Sequence, residues 1–226
     1  MAIKVRIFTA LISSSIAALT LLKSSNINRS AIGGYAIDPE NVSKESISSL
    51  PSFPKDGDLL TRDIYLTAAT WRNASFPVEN FQTYTSLFGY RTNPVTGKRQ
   101  FHSGIDIAAP LGSTIRAWWG GEIVKLSDNT ACGTAITIAS GNWHHVYCHL
   151  KGSVKTDRTG TYLIDRSGGI ILKLGQTIST GTRIGRVGMT GRTTGPHLHW
   201  GVKYNGKYVD PALILNQMYR SQQRYY

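Results

Sequence analysis

The sequence predicts a mainly β domain built from antiparallel sheet over residues 71–214, with few or no helices. Three observations predict it. Short runs rich in β-branched and aromatic residues recur between Gly, Pro, Asn and Asp at the spacing of an all-β fold. No stretch sustains a helical period over three turns; only residues 211–219 read as one terminal helix. Glycine supplies 23 of 226 residues, above the usual ~7 %, so tight turns are plentiful.

The elements follow in chain order. Lys4 and Arg6 precede an uncharged run over residues 7–22, closed by Lys23. Basic, apolar and then polar segments are the plan of a secretory signal. The run is short for a bilayer span, which needs ~20 apolar residues, and Ser13, Ser14 and Ser15 dilute it. The small-x-small pattern Gly34-Tyr35-Ala36 lies far beyond Leu22, so residues 1–36 read as a signal peptide or an N-terminal anchor. Residues 37–70 are rich in Ser, Pro and Asp and read as a spacer. Near Trp71 the composition changes. Strands are predicted over 114–118, 121–126, 135–138 and 199–204; residues 215–226 read as a short C-terminal tail whose last six, SQQRYY, are expected to fray.

Composition narrows the function classes. Two cysteines exclude a Cys-rich zinc module and a dense disulfide scaffold. Cys132 and Cys148 flank a predicted hairpin centred on residue 140. Opposed across it, they could join in an oxidising compartment, contributing about 3 kcal/mol. Two buried thiols are the equal alternative. The formal net charge is +12. Over residues 151–192 the bases Lys151, Lys155, Arg158, Arg166, Lys173, Arg183, Arg186 and Arg192 face only Asp157 and Asp165. Such charge is ordinarily solvated surface; for an exported protein it favours encounter with anionic envelope polymers. Nucleic acid is disfavoured by the export signal and the lack of a reader motif. His144 and His145, after Trp143, read as solvated turn residues, and Trp118, Trp119 and Trp200 as core or groove wall.

Two clusters carry candidate chemistry: His102 and Asp106 in HSGID, and His197 and His199 in GPHLH. Spacings of four and two put each pair on one face of its segment. Imidazole and carboxylate are good Zn²⁺ ligands, and three of them with an open position make a catalytic site. Alone, each pair is a common pattern of ordinary residues.

Their surroundings are more telling. In order come TSLFGYR (85–91), NPVTG (93–97), HSGIDIAAP (102–110), YCHL (147–150), GQ (175–176), IGRVGMTGR (184–192) and GPHLH (195–199). This set resembles the lysostaphin-like (LytM-type) zinc endopeptidases of the bacterial cell wall. The resemblance implies an antiparallel-sheet peptidase domain with a groove over one sheet and one zinc ion. It implies that His102, Asp106 and His199 bind the metal, and that His149 and His197 line the catalytic water, either being able to serve as general base. The expected activity is export followed by hydrolysis of peptidoglycan crosslinks by metal-activated water, with membrane contact only through the N-terminal segment. A non-catalytic wall-binding or regulatory protein of the same fold is the alternative; such members usually lack a ligand, and this chain lacks none. A comparable D-Ala-D-Ala carboxypeptidase family places six residues, not three, between its first His and Asp. Departures from the pattern are a longer loop at 152–172, Trp200 after the HxH, and Cys148.

Overall fold

The computed structural model describes residues 68–93 and 96–223. The signal or anchor expected over 1–36 lies outside them, as does the spacer apart from 68–70, which begin a 3₁₀ helix at Ala68–Asn73. Fifteen strands follow among the described residues: β1 (Thr83–Ser86), β2 (Gly89–Thr92), β3 (Arg99–His102), β4 (Ile105–Ala108), β5 (Thr114–Arg116), β6 (Gly121–Ser127), β7 (Ala135–Ser140), β8 (Trp143–Cys148), β9 (Ser153–Asp157), β10 (Gly160–Asp165), β11 (Ile170–Lys173), β12 (Thr177–Ile178), β13 (Arg183–Arg186), β14 (His197–Tyr204) and β15 (Lys207–Val209). One α-helix, α1 (Pro211–Gln223), closes the described chain. The mainly antiparallel β class is the one the sequence predicts.

The main sheet runs β1-β4-β14-β8-β7-β6-β12, with β15 pairing the second half of β14. Its centre is β14, which pairs β4 over His197–Trp200 and β8 over His199–Tyr204. Asn205 and Gly206, at φ 48° and 78°, turn β14 into β15 in the left-handed conformation that a two-residue hairpin demands. Alternation along β14 sends Leu198, Trp200 and Val202 into the core and leaves His197 and His199 half-buried on the other face. Trp118 and Trp200 meet edge-on at 5.7 Å, and Trp71 meets Trp118 at 5.5 Å, so aromatic rings fill the middle of the core.

Four expectations are revised. First, residues 152–172 are not an irregular loop. They form a three-stranded sheet, β11-β10-β9, because Leu163, Ile170 and Leu172 share one face and bury it. Asp165, buried at the end of β10, accepts two hydrogen bonds from Arg186 of β13, at 2.7 and 2.8 Å. Arg186 is therefore a structural tie rather than free surface charge.

Second, His145 is fully buried, not solvated. Strand β8 lies between β14 and β7, and its odd positions 145 and 147 face the core. A chain of hydrogen bonds makes this tolerable. The Trp118 N–H donates to the Tyr147 hydroxyl (2.8 Å), which donates to His145 Nδ1 (2.8 Å). His145 Nε2–H donates to Ser140 Oγ (2.9 Å), which donates to the Gly120 carbonyl (2.5 Å). The ring is thus satisfied while neutral, and burial pushes its pKa down to about 3, with His144 adding to the shift.

Third, Cys132 and Cys148 are bonded, with 5.0 Å between Cα atoms, yet not as cross-strand partners. Pairing of Ile136 with Tyr147 and Ser140 with Trp143 centres the hairpin between Gly141 and Asn142, and Cys132 sits in the connection before β7. Fourth, α1 continues to Gln223 instead of ending at residue 219. Asp210 Oδ1 accepts the Ala212 N–H (2.9 Å) beside Pro211, a good start for a helix. Pro211, Ile214, Leu215 and Met218 then bury one face, and Gln222 Nε2 donates to the carbonyls of Arg72 (3.2 Å) and Ala74 (2.9 Å).

Candidate metal centre

Three elements bring the predicted ligands together. Asp106 on β4 faces His199 on β14 in direct register, and His102 ends β3. Ser103 and Gly104 turn the chain between β3 and β4, so the four-residue spacing works across a break, not along one strand. A Cβ at Gly104 would lie 2.5 Å from the Trp200 carbonyl and 2.8 Å from the His199 ring, so only glycine fits there.

The resulting cluster is tight. His102 Nε2 lies 3.0 Å from Asp106 Oδ1 and 2.9 Å from His199 Nδ1, which is itself 2.8 Å from Asp106 Oδ1. His102 Nδ1 lies 2.7 Å from the Leu87 carbonyl, which can only accept, so Nδ1 carries the proton and Nε2 offers a lone pair. That arrangement is the usual outer support of a metal-binding imidazole. For His199, burial pushes the imidazole pKa down against the pull of Asp106, so its neutral form is favoured. Two neutral imidazoles and one carboxylate converging on a point repel unless a cation lies among them. The set fits a divalent N/O-liganded ion such as zinc.

His149 and His197 stand beside this cluster. Their rings are 4.7 Å apart, and His197 Nε2 is 3.7 Å from Asp106 Oδ1. Each is held through Nδ1: His149 Nδ1–H donates to the Thr190 carbonyl (2.8 Å), and His197 Nδ1–H donates to the Gly195 carbonyl (2.9 Å). Both rings therefore keep a free Nε2 lone pair. Burial, reinforced by the neighbouring His197 and His199, pushes the His149 pKa down to about 4 against its hydrogen bond to Thr190 and the charge of Asp106. All five predicted site residues thus lie in one cluster. Sequence reasoning assigned no role to Arg91, whose Nη2 is 3.5 Å from Asp106 Oδ2, although it stood within a quoted motif. Nor could it find the carbonyls of Leu87, Thr190 and Gly195, since every residue type carries one.

Comparison with known proteins agrees with the resemblance. The profile of Peptidase family M23 matches residues 100–211, a stretch that contains the whole ligand set. This chain carries a family M23 peptidase domain. M23 is a metallopeptidase family. Over 131 residues the domain is 33 % identical to the DD-carboxypeptidase/endopeptidase Mpg of Neisseria meningitidis serogroup B, covering 58 % of this chain and 26 % of that protein. It is 32 % identical over 161 residues to the peptidoglycan DD-endopeptidase ShyA of Vibrio cholerae, covering 70 % and 31 %. A crystal structure of a zinc-containing peptidase from Vibrio cholerae is 30 % identical, covers 60 % of this chain and 37 % of that one, and superposes with a TM-score of 0.49. The chain spans less than a third of the length of these two named relatives, and the family assignment of the M23 domain rests on the sequence match.

Proposed function

We propose that the chain is an exported zinc endopeptidase that hydrolyses peptide crosslinks of peptidoglycan. The observation that carries the reading is the convergence of His102 Nε2, Asp106 Oδ1 and His199 Nδ1 within 3.0 Å of one another, with the two Nε2-free histidines beside them. His102, Asp106 and His199 would hold the ion; His149 and His197 would handle protons. When bound, zinc would polarise a carbonyl and lower the pKa of a water toward ~7. His149 Nε2, kept unprotonated at neutral pH by burial, is suited to accept a proton from the attacking water and return it to the leaving amine. His197 Nε2, 3.7 Å from Asp106, can share that work and, once it has taken a proton, donate a hydrogen bond to developing negative charge.

Export rests on the basic-then-apolar order of residues 4–22 and places the protein in the cell envelope or outside it, free or anchored by residues 7–22. Peptidoglycan as substrate draws on the Vibrio relative, which is named a peptidoglycan DD-endopeptidase. The Neisseria name also carries a carboxypeptidase activity, so the His–Asp spacing separates this chain from one carboxypeptidase family and not from that chemistry. Digestion of purified peptidoglycan, with and without chelator, followed by mass spectrometry of the products, tests the proposal. Chelator-sensitive conversion of crosslinked dimers to monomers supports it. Loss of a terminal residue without decrosslinking would favour the carboxypeptidase reading, and no cleavage by zinc-loaded protein would favour a non-catalytic role.

A further inference from the structure

His149 has φ 62°, a left-handed backbone that costs a non-glycine residue roughly 1–2 kcal/mol. Such a conformation persists only where the surroundings over-determine it. They do so here. The His149 N–H donates to the Cys132 carbonyl (2.8 Å), the His149 carbonyl accepts from Gly188 N–H (2.9 Å), and the ring donates to the Thr190 carbonyl. Thr190 is itself fixed: its Oγ accepts the Thr134 N–H (2.9 Å) and donates to the Leu150 carbonyl (2.9 Å). Gly133 and Gly191 press backbone to backbone so closely that a Cβ on either would meet the other segment at 2.3 Å. Segment 131–134, which supplies half of this clamp, belongs to no strand. Its covalent tether is the Cys132–Cys148 bond, and Cys148 is the buried residue immediately before His149.

We propose that the Cys132–Cys148 disulfide is a positioning element for His149, holding the ring in its Nδ1–H tautomer against Thr190 and making hydrolysis depend on the thiol redox state. The proposal rests on the endopeptidase reading for its kinetic consequence. Its structural consequence is independent of that reading. Reduction by a water-soluble phosphine breaks the S–S bond: two electrons pass from phosphorus to sulfur, water supplies the two protons, and the phosphine leaves as its oxide. Segment 131–134 then loses its covalent tie and is held to the rest of the fold by hydrogen bonds alone, to His149, Leu150, Gly152, Thr190 and Arg192. His102, Asp106 and His199 lie on β3, β4 and β14, outside that segment, so metal binding is retained.

The test uses the zinc-loaded full chain, reduced with tris(2-carboxyethyl)phosphine until two thiols per chain titrate, and in parallel a Cys132→Ser, Cys148→Ala double variant. The expected result is a kcat lower by about 10- to 100-fold on a soluble crosslinked muropeptide, KM within about twofold, one zinc per chain throughout, and recovery on reoxidation. Long-range proton–nitrogen spectra of the His149 ring should show a single Nδ1–H tautomer in the oxidised protein and a tautomer mixture in the reduced one. An unchanged tautomer and kcat after full thiol release overturn the proposal, as does zinc loss in step with activity. If the oxidised chain cleaves nothing, the endopeptidase reading fails, and the ring spectra still decide whether the disulfide positions His149.

Discussion

Replacing His145 by Gln keeps a hydrogen-bonding side chain between Tyr147 and Ser140 but removes a buried group that titrates. In the folded protein the imidazole pKa is pushed down to about 3 by burial; in the unfolded chain it sits near its ordinary 6.5. Between those values the unfolded state binds one more proton than the folded state, so stability is full above pH 6.5 and falls as the pH drops towards 3. One proton corresponds to about 1.4 kcal/mol per pH unit, so going from pH 7 to pH 5 costs the native protein about 2 kcal/mol through this residue. His149 and His199, also depressed, add slope of the same sign, which is why the variant is needed. Urea unfolding of both proteins at pH 7, 6 and 5 measures the effect. The stability of His145→Gln should fall by about 2 kcal/mol less than that of the native protein over this range. Parallel pH profiles would mean that His145 is not held neutral by burial, and the reasoning about the core network would fail.

Three further outcomes are expected. Gly104→Ala should abolish stoichiometric metal uptake, read by metal analysis of purified protein, because its Cβ would collide with the Trp200 carbonyl and the His199 ring. Asp165→Asn should lower stability by about 2 kcal/mol in urea titration, less than a fully buried pair would lose, because the Arg186 side chain stays 18 % exposed. Ile214→Ala in α1 should cost about 2–4 kcal/mol by the same assay, as expected for a fully buried core side chain.

What could be read from residue order, and what could not, has a physical basis. His102, Asp106, His197 and His199 were legible because few side chains ligate metals and because the period of two survives along β14, whereas His102 meets Asp106 through the turn between β3 and β4. The β class was legible from alternating short runs and the Gly, Pro, Asn and Asp between them. Strand order was not. Whether His145 meets water or core depends on β8 lying between β7 and β14, a long-range arrangement that local pattern does not encode. The cysteine pair was visible as a possibility, yet the hairpin register that suggested it was displaced, and the bond forms from the connection before β7. The end of α1 was misjudged because Gln222 is anchored by carbonyls some 150 residues away in the chain.

The measurement that bears most directly on the account is metal stoichiometry in the purified chain at neutral pH, by elemental analysis beside calorimetric zinc titration, for the native protein and for His199→Ala. One tightly held zinc per native chain, with stoichiometric uptake lost in the variant, is the predicted result. A correctly folded native protein that takes up no zinc, or one that holds it equally well without His199, would contradict it.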